Sequence, residues 1–138
     1  MSQPALSYRL ASNDDKKIIR HSWFESYRRG GKAPAVRFEY YDPGQNWVIR
    51  QALERGKTTV AYATSVPDEV CGWACIEGDV LHYVYVKHAY RRLGIATELA
   101  KQAKFYSQET IPGLKLARKL QLQYNPYYLL NLCLPLTR

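Results

Sequence analysis

The stretch Val84-Tyr85-Val86-Lys87-His88-Ala89-Tyr90-Arg91-Arg92-Leu93-Gly94-Ile95-Ala96-Thr97 constrains this chain more than any other. Leu81 to Val86 is rich in β-branched and aromatic side chains and predicts a strand. Thr97 to Tyr106 carries Glu98, Leu99, Ala100, Lys101, Gln102, Ala103 and Lys104, mostly good helix formers with no breaker. A strand that feeds a helix through a basic, glycine-bearing turn is suited to holding phosphate. The first N–H groups of a helix have no intrahelical acceptor, and the dipole places partial positive charge there. Gly94 removes the Cβ that would block a diphosphate, and Ala96 keeps the next contact small. Arg91 and Arg92 add full charges and forked donors.

Two familiar phosphate loops are excluded. The pattern G-x-x-x-x-G-K-[ST] is absent, and a dinucleotide fingerprint needs three glycines where only Gly94 stands. The chain has 138 residues, 46% of them hydrophobic, so one domain over 1–138 with a single core is expected. No run of about 18 apolar residues predicts a membrane span. Met1-Ser2-Gln3-Pro4 lacks a basic-then-apolar signal region, which predicts a cytoplasmic protein. Cys71, Cys75 and Cys133 have no metal-ligand spacing, and no metal is expected. Cys71 and Cys75 read as small buried hydrophobes on the same face of one strand. A net charge of +8 favours an anionic partner, either a phosphate-bearing cofactor or nucleic acid.

Along the chain, Leu6 to Leu10 alternates as a first strand. Ser12-Asn13-Asp14-Asp15 starts a helix whose stripe is Ile19, Trp23 and Tyr27, stopped by Gly30-Gly31. Lys32 to Tyr41 reads as a connection, and Asp42-Pro43 as the start of a second helix that Gly56 ends. Thr58 to Ser65 predicts a strand, Val66 to Glu69 a turn, and Val70 to Glu77 a strand. Gly78-Asp79 marks a hairpin before Val80 to Val86. Phe105 to Gln108 fits a short strand, and Ile111-Pro112-Gly113 a break. Leu114 to Gln123 reads as a fourth helix, its end Leu120 to Gln123 also fitting a strand.

The pattern Arg91-x-x-Gly94-x-Ala96, behind a strand and before a helix, resembles the acyl-coenzyme A loop of the GNAT superfamily of N-acetyltransferases. The three antiparallel strands upstream have that family's element order. The resemblance implies an α/β (α+β) fold, a mixed and mostly antiparallel twisted sheet flanked by about four helices. It implies acetyl-CoA or another acyl-CoA as cofactor, an amine acceptor, and transferase activity. The cofactor would be held by Arg91, Arg92, Leu93, Gly94, Ile95, Ala96 and Thr97, and by the exposed backbone of Tyr85 and Val86 as an added strand. An N–H of that strand, here Val86, would polarise the thioester carbonyl. Trp23, Phe38, Tyr40, Tyr41 and Trp47 become candidate walls of the acceptor cleft, or else core. The resemblance also admits a homodimer.

Many family members return a proton to the thiolate from a tyrosine on the helix after the fifth strand, beyond a cofactor-contacting asparagine. Asn125 with Tyr128 or Tyr127 is the nearest echo, at a shorter spacing than usual. The strand before the loop carries no acid, so His82 is the candidate general base and Glu77 its runner-up. Two other readings stand beside this one. Mom-like phage proteins of the same fold modify DNA bases, and Arg28-Arg29-Gly30-Gly31-Lys32 and Lys115 to Lys119 would suit a phosphate backbone. A binding module that kept the fold and lost catalysis is the other.

Overall fold

The structure, a computed structural model, describes residues 4–30 and 36–126. One sheet runs β1 (Leu6–Leu10), β2 (Lys57–Ala63), β3 (Val66–Glu77), β4 (Val80–Val86), β5 (Phe105–Tyr106) and β6 (Gln123–Tyr124), in that spatial order. The first four strands pair antiparallel and the last two join parallel. The helices are α1 (Asn13–Gly30), α2 (Phe38–Arg55), α3 (Ile95–Ala100) and α4 (Ile111–Leu120). This is the mixed, mostly antiparallel sheet with four helices that the sequence predicts. Among the described residues no helix is long and apolar enough to cross a membrane.

Alternation along the strands divides the core into two layers. Val60, Val70, Trp73, Cys75 and Tyr83 face α1 and α2, meeting Ile19, Trp23, Ile49, Ala52 and Leu53. Ala61, Ala63, Cys71, Ala74 and Leu81 face the other way, meeting Ile95, Leu99, Ala100 and Ala103 with Leu116 and Leu120 beside them. Trp23 stacks on Tyr83 at 5.2 Å and leans on Trp73 at 5.3 Å, which locks α1 over the middle of the sheet. The α1 start is a capping box. Ser12 Oγ accepts from the Asp15 N–H, and Asp15 Oδ2 accepts from the Ser12 N–H.

Several local expectations are corrected. The helix expected from Asp42-Pro43 begins at Phe38, and Pro43 lies inside it. Tertiary aromatics extend its first turn: the Tyr41 hydroxyl donates to the Phe24 carbonyl, and Arg28 lies over both Tyr41 and Phe38. Val66 to Glu69 is strand, the turn being Thr64-Ser65. The helix expected over Thr97 to Tyr106 spans only Ile95–Ala100, because Phe105 and Tyr106 pair with Val80 and Leu81 instead. Ile111-Pro112-Gly113 starts α4 rather than breaking the chain. Thr110 Oγ1 accepts from the Gly113 N–H, and proline sits where a first-turn N–H lacks a partner anyway. Gln121, at φ 56°, ends α4, and β6 follows.

Cys71 and Cys75 are both buried, but on opposite faces. Ala61 pairs with Gly72 while Tyr62 pairs with Val70, so Cys71 is an extra residue in β3. A bulge shifts the two-residue alternation by one and turns the Cys71 side chain over.

Candidate active site

The site begins where two strands part. β5 pairs with β4 only at Val80 and Leu81, closed by the Ser107 N–H donating to the Leu81 carbonyl at 3.1 Å. Beyond that point Tyr83 to Val86 border a cleft of about 440 Å³. Its far wall is α4 with Thr110, Pro112 and Leu116, and its ends hold Ser26 and Arg29 of α1, Arg91 and Ala96.

The parting has a local cause. Cys75 pairs with Tyr83 but Ile76 pairs with Leu81, so His82 is an extra residue in β4. Its ring is buried, with Nδ1 2.8 Å from Ser107 Oγ and Nε2 2.9 Å from Glu77 Oε1. The other Glu77 oxygen takes Arg55 at 3.1 Å. Burial pushes the His82 pKa below its ordinary value, against the opposing pull of Glu77. A neutral ring donates from Nε2 to the carboxylate and accepts at Nδ1 from Ser107. His82 therefore clasps β4 to the residue just past β5, at the point where the strands separate. Both its nitrogens are engaged there.

Beyond the bulge the backbone alternates. The Lys87 N–H donates to the Cys71 carbonyl, and Tyr85 stands opposite Trp73. In an antiparallel ladder alternate residues turn their N–H and C=O to opposite sides. The groups of Tyr85 thus go to β3, and those of Val84 and Val86 go to the open edge. The added-strand surface expected at Tyr85 and Val86 is carried by Val84 and Val86. Arg91 Nε reaches the Val86 carbonyl at 3.1 Å, which leaves the Val86 N–H facing the cleft.

The loop after β4 makes one 3₁₀ turn, His88–Tyr90, and then takes positive φ at Arg92 (68°) and Gly94 (80°). The Tyr90 hydroxyl donates to the Glu69 carboxylate, tying the loop to β3; that carboxylate pushes the phenol up to about 12. Ile95 is buried against the sheet and anchors α3. It fits because β3 has Gly72 there: a Cβ on Gly72 would lie 3.3 Å from Ile95 Cγ2 and 2.8 Å from the Tyr85 carbonyl oxygen. Above Gly94 the space is open, with nothing within 4 Å of where a Cβ would be. No side chain caps α3, and its first internal bond is from Glu98 N–H to the Gly94 carbonyl. The amides of Ile95, Ala96 and Thr97 therefore have no intrahelical acceptor. With six residues α3 has little dipole, so the donors at this turn are these amides and the exposed Arg91 and Arg92. A diphosphate-bearing group fits this cradle.

The remaining candidates fall elsewhere. The helix after the fifth strand is α4, and it contains no tyrosine or asparagine. Asn125 follows β6, outside the cleft lining, with its N–H donating to the Tyr106 carbonyl. Tyr127 and Tyr128 lie outside the described residues. Of the aromatics considered for an acceptor wall, Trp23 and Tyr41 are core, Trp47 packs against it, and Phe38 and Tyr40 are exposed. Two cleft groups escape sequence reasoning. Ser26 Oγ and the Tyr83 hydroxyl are 2.8 Å apart inside the cleft, and burial pushes the Tyr83 phenol up to about 12. A serine one turn past Trp23 on the buried stripe of α1 was the available signal. A second cleft, of about 480 Å³, lies on the α1 side of β3 and β4, with Trp73 and Tyr85 in its walls.

A mixed sheet that opens beside β4, with an amide-rich loop at the opening, is the architecture of the acyltransferase fold that the sequence resembles. The profile of the Acetyltransferase (GNAT) family matches residues 16–125, and the chain belongs to that family. Solved structures agree on the fold. A possible acetyltransferase from Clostridium difficile 630 superposes with TM-score 0.56 at 16% identity, covering 86% of this chain and 90% of that one. Apo YjaB from Escherichia coli gives 0.53 at 16% identity, over 70% of this chain and 63% of YjaB. AAC(6')-Iy, in complex with the bisubstrate analog CoA-S-monomethyl-acetylneamine, gives 0.50 at 12% identity, over 86% and 91%. No curated protein matches the chain.

Proposed function

We propose that this acyltransferase-family protein transfers an acetyl group from acetyl-CoA to an amine. One observation carries the reading: the Val84–Val86 edge, without a strand partner among the described residues, opens directly onto the Gly94 loop, so a single extended ligand can be held by both. Acetyl-CoA, when bound, supplies a thioester carbonyl. Arg91 and Arg92 and the amides of Leu93 to Thr97 hold its diphosphate. The backbone of Val84 and Val86 aligns its arm, and the Val86 N–H stands where it can polarise a carbonyl. The CoA-analog complex of AAC(6')-Iy supports the cofactor class for this fold.

The proton for the departing sulfur is assigned to Tyr128, with Tyr127 beside it, on the family resemblance alone. His82 we assign to positioning. With both nitrogens engaged, it ties β4 to Ser107 where the strands part rather than reaching an amine. Nothing in the fold adds support for the DNA-modifying reading, which rests on the +8 charge.

Calorimetric titration with acetyl-CoA, alongside desulfo-CoA, tests the proposal. Saturable binding near micromolar, about −8 kcal/mol, is the expected result. If neither ligand binds, the loop is a structural turn only.

A further inference from the structure

The cleft on the α1 side of β4 touches the cofactor cleft through one residue, Tyr85, which lines both. Its walls are apolar: Ile18, Val70, Trp73 and the Tyr85 ring. Its charged lining is Lys17 and Lys87, both exposed, with His21 beside them, and no Asp or Glu lines it. Among the described residues no carboxylate pairs with either lysine. The Ser22 hydroxyl is already committed, donating to the Ile19 carbonyl and accepting from Trp73 Nε1. The cleft thus offers an apolar floor and two cations, with no carboxylate for a second ammonium.

We propose that this cleft seats the acceptor and selects a primary amine that carries a carboxylate on an apolar body, such as an apolar α-amino acid. The inference rests on the acyltransferase reading above. A carboxylate between Lys17 and Lys87 is attracted, and the apolar body covers Trp73. A polyamine meets two like charges and no carboxylate. In the transfer the acceptor nitrogen forms a bond to the acetyl carbon as the carbon–sulfur bond breaks. The nitrogen gives up one proton and the sulfur takes one, leaving an amide and a free thiol. The fold does not dictate this choice, since AAC(6')-Iy, of similar fold, is complexed with an analog built on acetylneamine.

The test is calorimetric. Leucine, isoamylamine (the same body without the carboxylate) and spermidine are titrated into protein saturated with desulfo-CoA. Leucine should bind at least tenfold more tightly than isoamylamine, spermidine least, and the leucine advantage should shrink as salt rises. The double variant Lys17→Glu, Lys87→Glu, at two exposed positions, should lose that advantage and keep its affinity for desulfo-CoA. Equal binding of leucine and isoamylamine, tighter binding of spermidine, or no binding of leucine would overturn the proposal. Failure of desulfo-CoA to bind would instead defeat the acyltransferase reading. The three amines titrated into free protein would then still report the preference.

Discussion

The two clefts beside β4 are made of different material. The cleft bordered by Tyr83 to Val86 offers a ligand backbone groups: the open edge of Val84 and Val86, the positive-φ loop, and the uncapped start of α3. The α1-side cleft is mostly side chains: Lys17, Lys87, Trp73 and Tyr85. Backbone donors depend on geometry, so many sequences can supply them once a glycine and a bulge are in place. Side-chain walls change with every substitution. The comparison separates the chemistry this chain shares with its family from the selectivity that is its own.

The largest effect expected is on the backbone cleft alone. Gly94→Trp forces a bulky residue to φ 80° and fills the open space above the loop. Affinity for acetyl-CoA should fall at least hundredfold, about 2.7 kcal/mol. Amine binding in the other cleft should stay unchanged, and loss of both would break the distinction. Gly72→Ala should strike both clefts, since its Cβ would press the Tyr85 carbonyl and Ile95. Overpacking of this kind costs about 1–3 kcal/mol, read as a lowered melting temperature.

His82 gives a smaller, pH-dependent effect. Its folded-state pKa lies below the ordinary 6.5, so the unfolded chain binds this proton more tightly. Its contribution is intact above about pH 6.5 and is lost as pH falls below that value, by at most about 1.4 kcal/mol per pH unit. His82→Gln should be less stable at pH 7 and should fall less steeply toward pH 5; an unchanged slope would show that His82 is not held as a neutral ring. The smallest effect is expected for exposed Arg91. Arg91→Ala should weaken acetyl-CoA about three- to tenfold, an effect that fades in high salt.

How much of this was legible depended on how local the signal was. The Gly78-Asp79 hairpin, the helix start at Ser12 to Asp15 and the strand-to-helix turn at Gly94 are written in neighbouring residues, and all three form as expected. The start of α2 misled because Tyr41 and Phe38 are held by Phe24 and Arg28, which the sequence keeps far away. The helix after β5 is α4, without a tyrosine, and Asn125 comes after β6, a placement that depends on strand order rather than on neighbouring residues.

By itself, then, the sequence determined the order of elements, the glycine turn between β4 and α3 and the family they point to, since propensity, capping and turn chemistry act over a few residues. Tertiary structure decided which face each side chain takes and where the sheet opens. Two bulges, at Cys71 and His82, did this, and a bulge has no composition of its own. It also decided the cleft on the α1 side, because Lys17, Trp73 and Lys87 become neighbours only when α1 lies across β3 and β4.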